Sequence, residues 1–331
     1  MGKRALFLLW TFALVAAACT RGAAPTGTTE AGGQVTVTTA EAPTETTTAA
    51  TTAPTAEGET LAGVRDRGTL RCGVNESVPG FGFLNPEGQF EGFDIDFCKA
   101  VATAVLGDPE AVDYLALTAE QRFTALQAGE IDVLIRNTTW TATRDGTEGA
   151  TFATTTFYDG QGMMVRADSE FQTIEDMANT TICSLSGTTT ELNLNTRFEA
   201  AGVPFEPLTF EDNETLQEAF IAERCDGWTS DKSQLAGVRS AFPEGEGGPE
   251  GLRILDETFS KEPLGPVTRD GDSQWSAVVD WVVIALIQAE EFGIDSGNVS
   301  DVAADPPGPN EALFLGVAFG EETAAGFDPG L

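Results

Sequence analysis

Three short stretches of this 331-residue chain collect side chains able to hold a small charged molecule. The first, Arg136-Asn137-Thr138-Thr139-Trp140-Thr141-Ala142-Thr143-Arg144, follows the strand pattern Ile131–Ile135 and is dense in hydroxyl, amide and guanidinium donors. An arginine offers a planar fork that meets a carboxylate in two parallel hydrogen bonds, and hydroxyls with free backbone N–H groups complete such an anion site. The second, Leu185-Ser186-Gly187-Thr188-Thr189-Thr190-Glu191, joins a strand pattern to a helix pattern. Its small residues let a ligand approach the backbone, and a helix N-terminus carries roughly half a positive charge. The third, Cys225-Asp226-Gly227-Trp228-Thr229-Ser230-Asp231, ends a strand pattern on a carboxylate, which in a cleft accepts hydrogen bonds from an ammonium group. Each stretch alone also fits something plainer: a polar turn, a threonine N-cap, or one surface acid among 52 acidic residues. Their weight comes from occurring together, because ligands of open α/β sheets bind beyond the carboxyl ends of the strands.

Composition removes whole classes of chemistry. The chain has no histidine, so imidazole acid–base catalysis, Ser-His-Asp triads and histidine metal sites are excluded. A net charge of −34 offers no basic patch to neutralise phosphates, which argues against nucleic acid and anionic lipid as partners. The same charge favours a soluble monomer. No CxxC spacing is present, which argues against a zinc site, and no metal or cofactor is expected. Cys72, Cys98, Cys183 and Cys225 allow three pairings, or four buried free thiols. The pairs Cys72–Cys98 and Cys183–Cys225 are favoured because each then stays inside one half of the molecule.

The N-terminus explains why disulfides are the expected use. Lys3 and Arg4 precede the 14-residue apolar stretch Ala5–Ala18, and small residues lead into Cys19. That order is the mark of a secretory signal, and the stretch is well short of the ~20 residues a spanning helix needs. With a cysteine at the cut it resembles a bacterial lipoprotein signal, cleaved after residue 18 and lipidated on Cys19; the alternative is an ordinary signal with an incidental cysteine. The exported chain is placed at the outer face of the cytoplasmic membrane or in the periplasm, an oxidising setting. Residues 19–58 are dominated by Thr, Ala, Gly, Pro and Glu and read as a disordered tether.

The elements that must position the three stretches alternate strand with helix. Strands are expected at Leu70–Val74, Val112–Leu115 and Ile131–Ile135, and helices at Phe93–Val105 and Ala119–Ala128. A second series has strands at Gly162–Val165, Thr181–Leu185, Phe205–Thr209 and Asp226–Thr229. Its helices are Thr189–Ala201, Asn213–Glu223 and Ser233–Ala241. Such alternation indicates parallel β-α-β units, and the ordered length favours two domains over one core. Gln274–Glu290 is expected as a core helix, interrupted by Asp280.

Longer runs of these same residues resemble a known family. Gly92–Cys98 (GFDIDFC), Arg122–Leu134 (RFTALQAGEIDVL), Asn137–Asp145 (NTTWTATRD), Tyr158–Val165 (YDGQGMMV), Gly187–Leu194 (GTTTELNL) and Lys261–Pro266 (KEPLGP) follow one another as in the family 3 solute-binding proteins of ABC importers, general L-amino-acid-binding type. The resemblance implies an α/β fold of the two-lobed periplasmic-binding-protein type II. Each lobe is then a mixed, mostly parallel sheet flanked by helices. Residues 59–155 and 256–300 would form lobe 1, 156–255 lobe 2, and 301–331 an acidic tail shortened relative to the family. It also implies a receptor that closes over a free L-amino acid and hands it to permease subunits. Arg144 would clamp the α-carboxylate and Asp231 receive the α-ammonium. Asn137 and Thr139 would bond the ligand from one lobe, and Thr188 and Thr189 from the other. Asn75 and Phe81 would line the side-chain pocket, and the four cysteines match those usual in the subgroup. A sensor without transport and an enzyme on the same fold are the competing functions.

Overall fold

The computed structural model describes residues 58–317. The expected signal peptide, Cys19, the tether up to residue 57 and residues 318–331 lie outside the described residues.

The described chain opens with helix α1 (Glu59–Arg67), strand β1 (Leu70–Val74) and a small meander of β2 (Ser77–Val78), β3 (Gly82–Leu84) and β4 (Phe90–Glu91). Helix α2 (Phe93–Leu106), β5 (Val112–Ala116), α3 (Gln121–Ala128) and β6 (Val133–Leu134) follow, with β5 and β6 parallel to β1 on either side. After α4 (Ala142–Thr147) and β7 (Ala150–Phe152), strand β8 (Phe157–Asp159) carries the chain out of this lobe. The second lobe holds β9 (Gln161–Arg166), β10 (Thr180–Leu185), α5 (Thr189–Ala201), β11 (Phe205–Phe210), α6 (Asn213–Ile221), β12 (Gly227–Asp231), α7 (Lys232–Ser240) and β13 (Leu252–Ile254). Strand β14 (Glu262–Leu264) returns antiparallel to β8, so this two-stranded ribbon contains both crossings. Strand β15 (Val267–Arg269) and helix α8 (Ser273–Glu291) rejoin the first lobe, and α9 (Val299–Ala304) and α10 (Pro309–Phe314) follow.

The two five-stranded sheets share one plan, β5-β1-β6-β15-β7 and β11-β10-β12-β9-β13. The β-α-β alternation accounts for the parallel neighbours. The fourth strand of each sheet, β15 in one and β9 in the other, runs antiparallel to its neighbours. These are the strands by which the chain re-enters a lobe from the other, so they arrive from the opposite direction.

Packing follows the helical periodicity. Phe93, Phe97, Val101 and Val105 of α2 fall on one stripe and meet β1, α1 and α8 in a core containing Leu70, Ile95 and Trp275. The opposite face of the same sheet packs Leu126 of α3 against Ile131, Leu134 and Val267. In the second lobe, Phe220, Trp228 and Leu216 fill one face of the sheet, and Phe198, Leu194 and Ile182 the other. Helix α8 is a core helix on one stripe alone: Trp275, Val279 and Val283 are buried, while Trp281 is 66% exposed. Trp275 also donates its indole N–H to the carbonyl of Asp132 at 2.8 Å. The Asp132 carboxylate in turn pairs with Arg67 and, at 2.7 Å, with Arg71.

Both expected disulfides are present, Cys72–Cys98 joining β1 to α2 and Cys183–Cys225 joining β10 to the segment before β12. Closing loops of 26 and 42 residues, they contribute about 3.5–4 kcal/mol each in the chain-entropy account.

Candidate ligand-binding site

A cavity of about 300 Å³, counted out to its mouth, lies where the strand ends of the two lobes meet. The free space inside it is about enough for one water molecule. The first lobe lines it with Arg122, Arg136, Asn137 and Thr139. The second supplies Leu185, Thr188, Thr189, Thr190, Ser230, Asp231 and Gln234. The polypeptide just beyond β6, β10 and β12 therefore converges here, as the three donor-rich stretches suggested.

The first-lobe loop is set by Asn137, whose φ of 33° lies in the left-handed region. Asparagine tolerates that region better than most residues. Its backbone N–H donates to the Asp94 carboxylate at 2.7 Å. Burial pushes Asp94 up to about 6, against the pull of that hydrogen bond and of the Arg136 guanidinium. The Asn137 side chain accepts from Asn75 at 3.3 Å and donates across the crevice to Gln234 at 3.1 Å. Thr139 Oγ1 sits 3.3 Å from Thr189 Oγ1, a second bridge between the lobes.

On the second lobe, Gly187 turns β10 into α5 with φ 69°, and a Cβ there would sit 2.8 Å from Glu120 of the first lobe. Thr188 caps α5 by accepting from the Glu191 N–H at 3.0 Å. Thr189 donates to Glu262 Oε2 at 2.9 Å, and Asn193 reaches the other oxygen at 3.0 Å. Glu262 lies on β14, so the crossing ribbon, the N-terminus of α5 and the cavity are tied together.

Charge is unevenly satisfied. Asp231 ends β12 and is 5% exposed, and its Oδ1 has no hydrogen-bond partner among the described residues. Burial, reinforced by Glu262 and Asp159, pushes its carboxyl up to about 8, while Arg122 and Arg144 pull the other way. Arg144 is buried and donates to the Thr139 carbonyl at 2.9 Å, with its guanidinium carbon 5.5 Å from the centre of the Phe123 ring. Burial lowers its pKa, opposed by the nearby Glu262, Asp231 and Glu148 carboxylates.

The structure thus brings Asn137, Thr139, Thr188, Thr189 and Asp231 onto one cavity wall. Asn75 stands one hydrogen bond behind it. Arg144 is held beneath the Thr139 backbone and is not among the lining residues. Phe81 lies outside the lining too, edge-on to Phe93 and Phe157. Sequence reasoning had not assigned Arg122 or Gln234 to the site. For Arg122 a signal existed: it occupies the first turn of α3, where the helix dipole disfavours a cation, so its position calls for another explanation.

Two lobes with the same sheet plan, joined by a double crossing over a crevice, have the architecture of the type II class of two-lobed periplasmic binding proteins. The chain belongs to the bacterial extracellular solute-binding proteins, family 3, whose pattern it matches over residues 70–293. It is 45% identical over 279 residues to the general L-amino acid-binding periplasmic protein AapJ of Rhizobium johnstonii, covering 84% of this chain and 80% of that one. It is 44% identical to the glutamate/glutamine/aspartate/asparagine-binding protein BztA of Rhodobacter capsulatus, covering 81% and 78% of the two chains. Among solved structures, a periplasmic binding protein from Brucella ovis with glutathione bound superposes with a TM-score of 0.74 at 43% identity, covering 78% of this chain and 79% of that one. Among the described residues no helix is long and apolar enough to cross a membrane.

Proposed function

We propose that this protein captures free L-amino acids outside the cytoplasmic membrane and delivers them to the permease subunits of an ABC importer, without chemical change to the ligand. In this reading Cys19 carries a lipid that keeps the receptor at the membrane. The observation that carries the proposal is the pairing of a buried, unpartnered Asp231 oxygen on one lobe with guanidinium groups on the other.

The roles follow from charge. The ligand ammonium donates to Asp231, and its α-carboxylate takes the guanidinium of Arg144 together with the Thr139 hydroxyl. Thr188 and Thr189 present the N-terminus of α5 to the same negative end. Asn75 and Phe81 bound the side-chain end. The lobes meet directly through Asn137–Gln234 and Thr139–Thr189, so they must part to admit an amino acid. They shut again because a ligand touching both binds the shut arrangement better than the parted one.

Calorimetry against the twenty amino acids, glutathione and a sugar tests this. Free amino acids should bind one per chain, and binding confined to the sugar or to peptides would overturn the proposal. Arg144→Ala should cost at least about a hundredfold in affinity, since the ligand carboxylate would be buried unpaired. Its circular dichroism and melting should stay close to wild type.

A further inference from the structure

Once the proposed roles give the α-carboxylate to Arg144 and the α-ammonium to Asp231, one cation of the cavity is left over. Arg122 is 2% exposed, lines the cavity, and its Nε has no hydrogen-bond partner among the described residues. Its one described side-chain hydrogen bond runs from Nη2 to the Gly187 carbonyl across the crevice at 3.3 Å. The other guanidinium groups are better matched. Arg136 donates to the Leu117 carbonyl at 2.7 Å and has Asp94 as the opposite charge that acts on it, whereas Glu262 acts most strongly on Arg144. No carboxylate pairs with Arg122 within 4 Å among the described residues, and Asp231, whose charge opposes it, is the group that receives the ligand ammonium. A hydrocarbon side chain placed against Arg122 would desolvate its guanidinium and pair with none of its donors, and an ammonium side chain would face an uncompensated cation.

We infer that Arg122 selects the ligand's side chain: its Nε donates to a carboxylate or carboxamide oxygen there, so the site prefers acidic amino acids and their amides to aliphatic and cationic ones. This rests on the amino-acid-receptor reading above and narrows it. A donor buried for one acceptor discriminates strongly against analogues that lack it, because the donor is then left unpaired.

The test is calorimetry of glutamate, glutamine, leucine and lysine on the full chain and on Arg122→Met and Arg122→Lys. Wild type should favour glutamate and glutamine over leucine by about 10- to 100-fold. Arg122→Met should bring that ratio near one by weakening glutamate and glutamine while leaving leucine within a few-fold. Arg122→Lys, which keeps the charge and loses the Nε donor, should weaken both glutamate and glutamine, and glutamine more, because the charge still attracts the carboxylate. Equal losses for all four ligands would put Arg122 on the common α-carboxylate and overturn the inference. So would a wild type that binds leucine as tightly as glutamate, a result that leaves the receptor function standing and needs no variant to fold. Failure of every free amino acid to bind would remove the receptor function and this inference with it.

Discussion

Asp231 is the side chain whose chemistry depends most on its surroundings. With its carboxyl pushed up to about 8 while the lobes are shut and no ammonium is present, it is mostly protonated at pH 7 in this arrangement. A ligand ammonium favours the charged form, so binding at pH 7 should expel close to one proton. Calorimetry in two buffers of different ionisation enthalpy reads that number, and a value near zero would mean that the ammonium sits elsewhere. The same shift bears on stability with a definite sign. The folded protein holds this proton more tightly than the unfolded chain, whose carboxylate titrates near the usual 3.8. The contribution is therefore full below about pH 4 and disappears as pH rises towards 8. Asp231→Asn, which keeps the neutral shape, should gain on wild type in melting temperature across that window. A constant difference between the two would count against it.

At the scale of elements, the approach of the lobes rests on bare backbone. A Cβ at Gly237 of α7 would lie 2.2 Å from the carbonyl oxygen of Pro79, in the turn between β2 and β3 on the other lobe. Gly237→Ala suits the helix itself by up to about 1 kcal/mol, yet it holds the lobes apart. Melting should be unchanged or higher while amino-acid affinity falls by about tenfold or more; unchanged affinity would mean that the contact is dispensable. Much of this architecture was legible in the sequence. The helix Thr189–Ala201 lies where its pattern put it, because Thr188 and Gly202 mark both ends chemically. The Ile131–Ile135 pattern shrinks to the two-residue β6, since only Val133 and Leu134 pair with β1 and only Leu134 pairs with β15 as well. The antiparallel direction of β9 and β15 was not legible, because direction is set by where the chain crosses and not by local pattern. Arg122 was legible only as a cation misplaced in the first turn of a helix; its lining role depends on a second lobe folding over that turn.

For the whole molecule, charge is the dominant global term. With 52 acidic and 18 basic side chains, the compact form repels itself at low ionic strength. Salt screens such repulsion over about 8 Å at physiological strength. Melting temperature should therefore climb as sodium chloride is raised from ~10 mM to ~500 mM, where the Debye length drops severalfold; a flat or falling curve would show that attractive pairs offset the excess. The double crossing has a consequence of another kind, in the order of completion as the polypeptide emerges. Every strand of the second sheet is available once Ile254 has appeared, whereas β15, an interior strand of the first sheet between β6 and β7, waits until Arg269. Until then β6 and β7 have no partner to join them, and their unpaired edges face solvent. The half that emerges first is therefore the half whose sheet is finished last.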